Sequence, residues 1–589
     1  MTAASRHEEA GRPGRSAGRR GGHGGTEAAS TDDPAGQLAR WAGEHDGADR
    51  GPGAATASGL PLKVAYTPLD LPGGCSADQA DRYLTELGMP GSWPFTRGIS
   101  PRMYRDQPWI MGQYSGYASP QETNLRIREL LSQGQRGFSI ALDLPTQHGL
   151  DSDDPRSAGE VGRVGVPLDT VADMEAVLTG IPLDEIAQMR TTANAIGPIA
   201  VAFFVVAAER LGYPASSFRV LLQNDVLKEY VARGTYIFPP EPGAKFAVDA
   251  IEYCARNLPH WQPIQFCGYH IRDAGSTAVQ EVAVALANGM EYLGRCAGRG
   301  LSIDDVAPHI VMFLSAGQDL FEEAAKFRAA RRIWARLMTD RFGAAEPESS
   351  QLRIFAYTLG SPQTAQEPEN NIVRIAYQVL AAVLGGVQTL ATTSYDEALG
   401  LPSPSAVGLS LRTQQIAAYE TGIRNVADPL GGSYYVESLT ASLEDAITGY
   451  VTAIEERGGA LAVLESGWLA GELESEAYRQ AMAVEKGSRP VVGVNAFTDG
   501  GPPPTGYRPF TMDARTEQEQ VRRLGEVKAA RDPAAVRRAL DEVTAAARSG
   551  VNTIPSLLAA VRVFATIGEI TRALASEWGL HDEYHPRAV

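Results

Sequence analysis

The sequence predicts an α/β protein built on a closed (β/α)8 barrel, with an extended arm before it and a helical region after it. Three observations carry this. Short apolar runs at 137–144, 218–223, 263–268, 309–314 and 352–357 read as buried strands. Amphipathic segments at 122–134, 197–212, 275–294, 319–341 and 370–384 separate them, and such alternation implies a parallel sheet. Residues 98–430 hold room for about eight strand–helix units, the number at which a parallel sheet closes on itself. An open nucleotide-binding sheet would instead place a GxGxxG turn after a strand, and none stands here.

The elements follow in order. Residues 1–57 are rich in Gly, Arg, Ala, Ser and Asp and nearly devoid of large apolar residues. Such a composition cannot bury enough surface to offset chain entropy, so a disordered leader is expected, with a short docking helix around Leu38 and Trp41. Residues 58–97, punctuated by Pro and Gly, read as an extended arm. The barrel spans 98–430. Residues 431–589 read as helical, with periodic apolar positions at 437–457, 474–485, 515–530, 533–548 and 554–577.

Composition narrows the function classes. At 589 residues the chain exceeds one ordinary core, and its apolar fraction of 44% is that of a globular protein. A net charge of −17 argues against nucleic acid as a partner, because phosphate binding needs a basic surface. No run approaches a membrane span, and no apolar segment follows the N-terminal arginines, so a cytoplasmic protein is expected. The four cysteines form no CxxC pair and fit neither a zinc site nor a disulfide framework.

Chemistry concentrates in GlnAsnAspValLeuLysGlu (223–229), Arg233 and GlyTyrHis (268–270). Gln223 and His270 each end an apolar run, where a barrel presents functional groups. Arg233 suits a planar carboxylate, since its fork gives two parallel hydrogen bonds. Taken alone, Arg233 reads equally as an ion pair with Glu229 one helical turn away, and His270 as a satisfied buried histidine. Tyr114 lies in a Gly-flanked aromatic stretch (108–117), which suits a wall against a ligand or simple packing. His148 reads as a turn residue. A lyase or aldolase barrel would need a catalytic lysine or a metal cluster at strand ends, and the sequence offers neither.

Taken together these stretches resemble the adenosylcobalamin-dependent acyl-CoA mutases, the methylmalonyl-CoA mutase family. The resemblance runs from about Ser58 to about Leu580, through TrpProPheThrArgGly (93–98), AspSerAspAspProArg (151–156), ThrTyrIlePheProPro (235–240), TyrAspGluAlaLeuGlyLeuPro (395–402) and AspProLeuGlyGlySerTyr (428–434). It implies an isomerase with the substrate threaded along the barrel axis. Tyr114 matches the tyrosine between substrate and adenosyl group. Arg233 matches the arginine paired with the substrate's free carboxylate. His270 matches the histidine on the thioester carbonyl, able to act as a general acid, and Gln223 matches a substrate-contacting amide. Asp273, Glu397, Ala398 and Leu401 match the side facing the corrin. Asp273 stands where the family usually has Glu.

Two departures carry expectations of their own. None of the nine histidines has Asp two residues before it, so the AspXxxHisXxxGly cobalt-ligating motif is missing. The resemblance then implies a separate small cobalamin-binding subunit, in a heterotetramer built on a dimer of large subunits. At positions that usually grip the coenzyme A tail stand Gln107, Ile110, Gly112, Met189, Leu221, His309 and Val311, although Ser139 and Thr191 remain. This implies a tail other than ordinary coenzyme A, with a carrier-protein thioester and a free acid both open. Tyr114 and Ala141 point to a methylmalonyl- or succinyl-like substrate rather than a 2-hydroxyisobutyryl one. The alternative is a non-catalytic subunit that supports an active mutase.

Overall fold

A computed structural model describes residues 33–46, 55–112, 114–116, 118–400, 402–498 and 515–581; Tyr114, Ser115 and Pro404 are described by backbone alone. Nine strand segments form its centre: β1 Ile110–Gly112, β2 Tyr114–Ser115, β3 Gly137–Ile140, β4 Gln188–Thr192, β5 Val220–Gln223, β6 Ile264–Cys267, β7 Ile310–Ala316, β8 Arg353–Thr358 and β9 Thr389–Ala391. All pairings are parallel. One run is β2-β3-β4-β5 and the other β1-β9-β8-β7-β6. The two runs join at a parallel bridge between Leu221 and Gln262, and β1 and β2 follow one another along the chain. The ring is therefore the expected (β/α)8 barrel.

Strand residues alternate between two environments, as a pleated strand requires. On β7, Ile310, Met312 and Leu314 face outward into a core shared with the helices Ala278–Gly298 and Leu320–Arg336. Their neighbours Val311 and Phe313 point the other way, into a separate cluster with Leu221, Cys267, Tyr269, Phe355, Leu359 and Ala391 that fills the interior of the ring. A second outer core joins β3, β4 and β5 to the helices Gly197–Arg210 and Pro240–Asn257. The first of these helices is apolar nearly all round, as befits a helix buried on every side.

Helix ends follow their sequence signals. Thr277 and Gln280 form a reciprocal capping box before Ala278–Gly298, and Asp532 caps a helix whose first residue is Pro533. The helix expected over 554–577 is two, Ile554–Arg562 and Ile567–Trp578, because Phe564 adopts a positive φ of 62° and Thr566 caps anew.

The helical C-terminal region divides between the two outer cores. Helices within 434–485 pack on the β6–β9 side, through Leu443, Ile447 and Leu473. Helices within 533–578 pack on the β3–β5 side, through Val543, Leu557 and Ile570. At the other end, Pro34–His45 is a helix, and Leu38 is buried against Ala80 and Met89. That docking helix lies inside the stretch read as leader; residues 1–32 and 47–54 are outside the described residues. The arm is not wholly extended, since Ala77–Glu86 is helical.

Candidate active site

Gln223, Arg233, His270, Asp273, Ser139, Thr191 and Glu397 line one cavity of about 270 Å3. It opens at the C-terminal ends of the strands, and Arg190, Thr192, Gln265, Tyr269, Phe313, Phe355 and Tyr357 complete its wall.

His270 is the second residue of the short helix Tyr269–Asp273, which begins where β6 ends. Asp225, just past β5, fixes that junction. Its carboxylate accepts from the Cys267 backbone N–H at 3.0 Å and from the Tyr292 hydroxyl at 2.9 Å. His270 Nδ1 lies 3.3 Å from Cys267 Sγ. Burial pushes the Cys267 thiol up to about 12, so it stays protonated and can donate to Nδ1. That suits the tautomer carrying its proton on Nε2. Burial first, then the cations Lys228 and Arg233, hold the imidazole well below the ordinary histidine range. His270 is therefore a neutral donor near neutral pH. The sequence reading of a general acid is narrowed accordingly: the ring can polarise a carbonyl, while imidazolium is disfavoured. Its walls are aromatic, with Tyr269 edge-on to it at 5.4 Å and Phe313 at 6.0 Å.

Arg233 does make the pair with Glu229 that the sequence suggested, at 3.3 Å, and also donates to Thr235 Oγ1 at 2.9 Å. Its side chain keeps 23% of its exposure and faces the cavity as well. The two readings of this residue are thus compatible. Glu229 is a hub. It is fully buried against Lys228, accepts from Asn194 Nδ2 at 2.6 Å and from the Thr235 N–H at 3.0 Å. Burial alone would raise its carboxyl, but Lys228 and Arg233 outweigh it and hold Glu229 below the usual range. Asn194 also donates to Gln223 Oε1 at 3.0 Å, which fixes how the Gln223 amide sits. Lys228, just past the end of β5, is committed to Glu229.

At the rim, Asp273 is exposed and accepts from the Ser361 N–H at 3.0 Å. Glu397 and Ala398 are solvent-accessible in the turn after β9. Protein encloses Glu397 on its other sides, and that burial pushes its carboxyl up to about 7, with Asp273 and Asp396 adding repulsion. The remaining candidates divide. Tyr114 lies on β2, in register with Ser139. Ala141 is buried just beyond β3, its carbonyl accepting from the Val166 N–H at 2.7 Å, and does not line the cavity. Leu401 lies outside the described residues. Thr191 Oγ1 donates to the Ile140 carbonyl at 3.0 Å and Ser139 Oγ accepts from Arg190 Nε at 2.8 Å, so both hydroxyls have protein partners.

Sequence reasoning missed Arg190 and the aromatic lining. β4 reads GlnMetArgThrThr, too polar to score as an apolar run; its signal was the pair of β-branched threonines before Ala193.

Residues 55–580 match the family model described as methylmalonyl-CoA mutase. The chain is 41% identical over 529 residues to the 2-hydroxyisobutanoyl-CoA mutase large subunit of Aquincola tertiaricarbonis, covering 90% of this chain and 92% of that one. It is 39% identical over 526 residues to methylmalonyl-CoA mutase of Cereibacter sphaeroides, covering 89% and 72%. It is 40% identical over 495 residues to the mitochondrial methylmalonyl-CoA mutase of Homo sapiens, covering 84% and 66%. A barrel with its polar cavity at the strand ends, matched along nearly its whole described length, belongs to the methylmalonyl-CoA mutase family.

Proposed function

We propose that this chain is the catalytic large subunit of a two-component, adenosylcobalamin-dependent mutase that rearranges the carbon skeleton of a carboxylate-bearing acyl compound. One observation carries the reading: Arg233, Gln223 and His270 line a single cavity at the chemical end of the barrel. A guanidinium, an amide and a neutral imidazole are what is needed to anchor a carboxylate and polarise a carbonyl.

The rim fits a cobalamin presented by another polypeptide. Glu397 and Ala398 are accessible there, and a carboxyl near pH 7 can donate to or accept from the amides around a corrin. When bound, the cofactor supplies a radical by homolysis of its cobalt–carbon bond. The chain's own residues then do the positioning. Arg233 holds the carboxylate and keeps the reacting carbon in place. His270 donates from Nε2 to the migrating acyl oxygen without giving up its proton. Tyr269, Phe313 and Phe355 wall the cavity against water. With adenosylcobalamin bound, Asp273, Glu397 and Ala398 would meet the corrin at the rim, and the family resemblance assigns Leu401 to the same side and Tyr114 to separating the substrate from the adenosyl group. Large subunits pair into a dimer that carries two small ones.

Arg233 favours a methylmalonyl- or succinyl-like substrate. The Aquincola relative carries a different acyl name, but its 41% identity and the 39–40% of the methylmalonyl-CoA mutases are too close to separate the two. The test is to co-express the chain with candidate cobalamin-binding subunits, add adenosylcobalamin, and assay isomerised product across acyl-CoA, carrier-bound and free-acid panels. Product that requires both subunits and the cofactor is expected. Product without cofactor, or none from any panel with a correctly assembled complex, overturns the reading.

A further inference from the structure

Beside the cavity mouth lies an apolar surface that the fold leaves in water. The helix Asn370–Leu384 follows β8. Its inner face, with Ile375, Val379 and Ala382, is buried in an outer core. Its outer face carries Val373, Ala376 and Tyr377, all exposed, Tyr377 at 54%. The one charged residue of the helix, Arg374, turns aside and donates to the Val492 carbonyl at 2.7 Å. A surface helix ordinarily sets polar residues outward, so apolar residues on both faces mark a helix that meets a partner.

Residues 491–497 extend this surface. Val492, Val494 and Phe497 are exposed there, Phe497 at 83%. The loop is held stiffly. The Gly493 N–H donates to the Ala496 carbonyl at 2.9 Å. Asn495 accepts from the Val491 N–H at 2.6 Å and donates to the carbonyls of Val484 at 2.7 Å and Arg489 at 2.9 Å. Gly493 has a φ of 78°, and a Cβ there would lie 2.8 Å from the Glu367 carboxylate. Phe497 has a φ of 52°, a region that a bulky residue enters only under strain. The chain thus bears strain and holds an aromatic ring in water, and neither serves the isolated fold.

The surface is continuous with the rim of the cavity. Asn371 donates to the Tyr395 carbonyl at 2.9 Å, at the head of the turn that carries Glu397 and Ala398. The carboxylates Glu367, Glu369, Asp273 and Glu397 border it, so a complementary partner offers Lys or Arg around an apolar centre. A domain tethered by a short linker is held at an effective concentration on the order of millimolar. A separate polypeptide has to be held by its interface alone, and preorganised aromatic anchors are what hold interfaces.

We propose that Val373, Tyr377, Val492, Val494 and Phe497 form the docking surface for the separate cobalamin-binding subunit, with Phe497 seated in an apolar pocket of that partner. This rests on the two-component reading above. A partner seated there reaches over Glu397 and Ala398, so the contact that holds it also covers the cavity mouth.

The probe is the cobalamin-binding subunit that gives product in the co-expression assay. It is titrated by biolayer interferometry against the full chain as wild type, Phe497→Ser, Tyr377→Ser and Phe497→Gly. Leu125→Ser is the control, an exposed position on the helix Pro120–Ser132, which packs in the other outer core. Phe497→Ser and Tyr377→Ser should each raise the dissociation constant roughly 10- to 100-fold, and Leu125→Ser should leave it unchanged. At saturating small subunit, kcat should stay at the wild-type value in all of them. Phe497→Gly should weaken assembly equally yet unfold no more easily than wild type, because glycine accepts the positive φ without strain; that separates a lost interface from a lost fold. Wild-type affinity in both serine variants overturns the docking surface and leaves the two-component reading intact. If light scattering shows the chain alone associating with itself, and Phe497→Ser abolishes that association, the surface is a contact between copies and the proposal is overturned. If no small subunit binds the wild type or gives product with it, the two-component reading fails and the docking surface with it.

Discussion

Lys228→Met should cost the fold about 3 kcal/mol, and the structure says why that figure and not more. Lys228 and Glu229 are both wholly buried and in direct contact. Removing one member of a buried pair typically costs about 3–5 kcal/mol, because the survivor keeps its desolvation penalty. Glu229 would retain Asn194, the Thr235 N–H and Arg233, so the lower end applies. The pH dependence gives a sharper signature. In the wild type Glu229 is held below its ordinary value, so its contribution is present above the unfolded pKa and fades as pH falls through the folded one. Without Lys228, burial becomes the dominant influence and the carboxyl rises. The variant should then lose stability as pH rises through the elevated value, and its deficit should shrink on acidification. Urea unfolding followed by fluorescence at pH 5 and pH 8 reads both. The double variant Lys228→Met/Glu229→Gln should recover part of the loss, since no uncompensated charge remains. Wild-type stability in the single variant, or a double variant worse than the sum of its parts, would refute the reasoning.

Three further outcomes are expected. Arg233→Gln should lower kcat/KM for carboxylate-bearing substrates ~100-fold, about 2.7 kcal/mol of lost charge-assisted bonding, with the unfolding midpoint nearly unchanged because Lys228 still neutralises Glu229; a wild-type kcat/KM would remove the carboxylate clamp. His270, His148 and His309 are all held below the ordinary histidine value, in each case first by burial. The unfolded chain therefore binds more protons below about pH 6.5, and stability should decline there by up to about 1.4 kcal/mol per pH unit for each ring; a chain equally stable at pH 5 and pH 7.5 would contradict it, as would an NMR titration placing His270 near 6.5. Gly112→Ala should destabilise the chain through its clash with Arg190, and adding Arg190→Met should restore it; equal losses in the single and double variants would show that the clash is not the cause.

How much of this was legible beforehand follows from which face of each strand carries the signal. The runs at 137–144, 218–223, 263–268, 309–314 and 352–357 were readable because both faces are apolar: β7 sends Met312 outward and Phe313 inward. β4 was not, because all of its residues but Met189 are polar, and Arg190, Thr191 and Thr192 line the cavity. β1 and β9 were not, because each has three residues, too few for a period to register. Within the site, Gln223, Arg233 and His270 were identifiable since each follows an apolar run or a family motif. Arg190 was hidden for a physical reason: it is a buried cation whose Nη2 meets no hydrogen-bond acceptor among the described residues, and only the packed neighbours disclose that. The neutrality of His270 was hidden likewise, since Lys228 lies 42 positions earlier in the chain.

The strand ring is held by unequal joints. Between β6, β7, β8 and β9 the ladders are continuous, whereas the β5 backbone meets the next arc through the isolated bridge of Leu221 with Gln262. Each arc has its own outer core and its own share of C-terminal helices. The molecule is mechanically two half-shells, and the seam runs beside the chamber that Leu221, Gln223 and Gln265 enclose. Amide exchange should accordingly be faster at Leu222 and Gln262, whose N–H groups bridge the seam, than at Phe313 or Phe355 inside the continuous ladder. A guest entering at the strand ends could then widen the chamber by easing the two leaves apart along that hinge line.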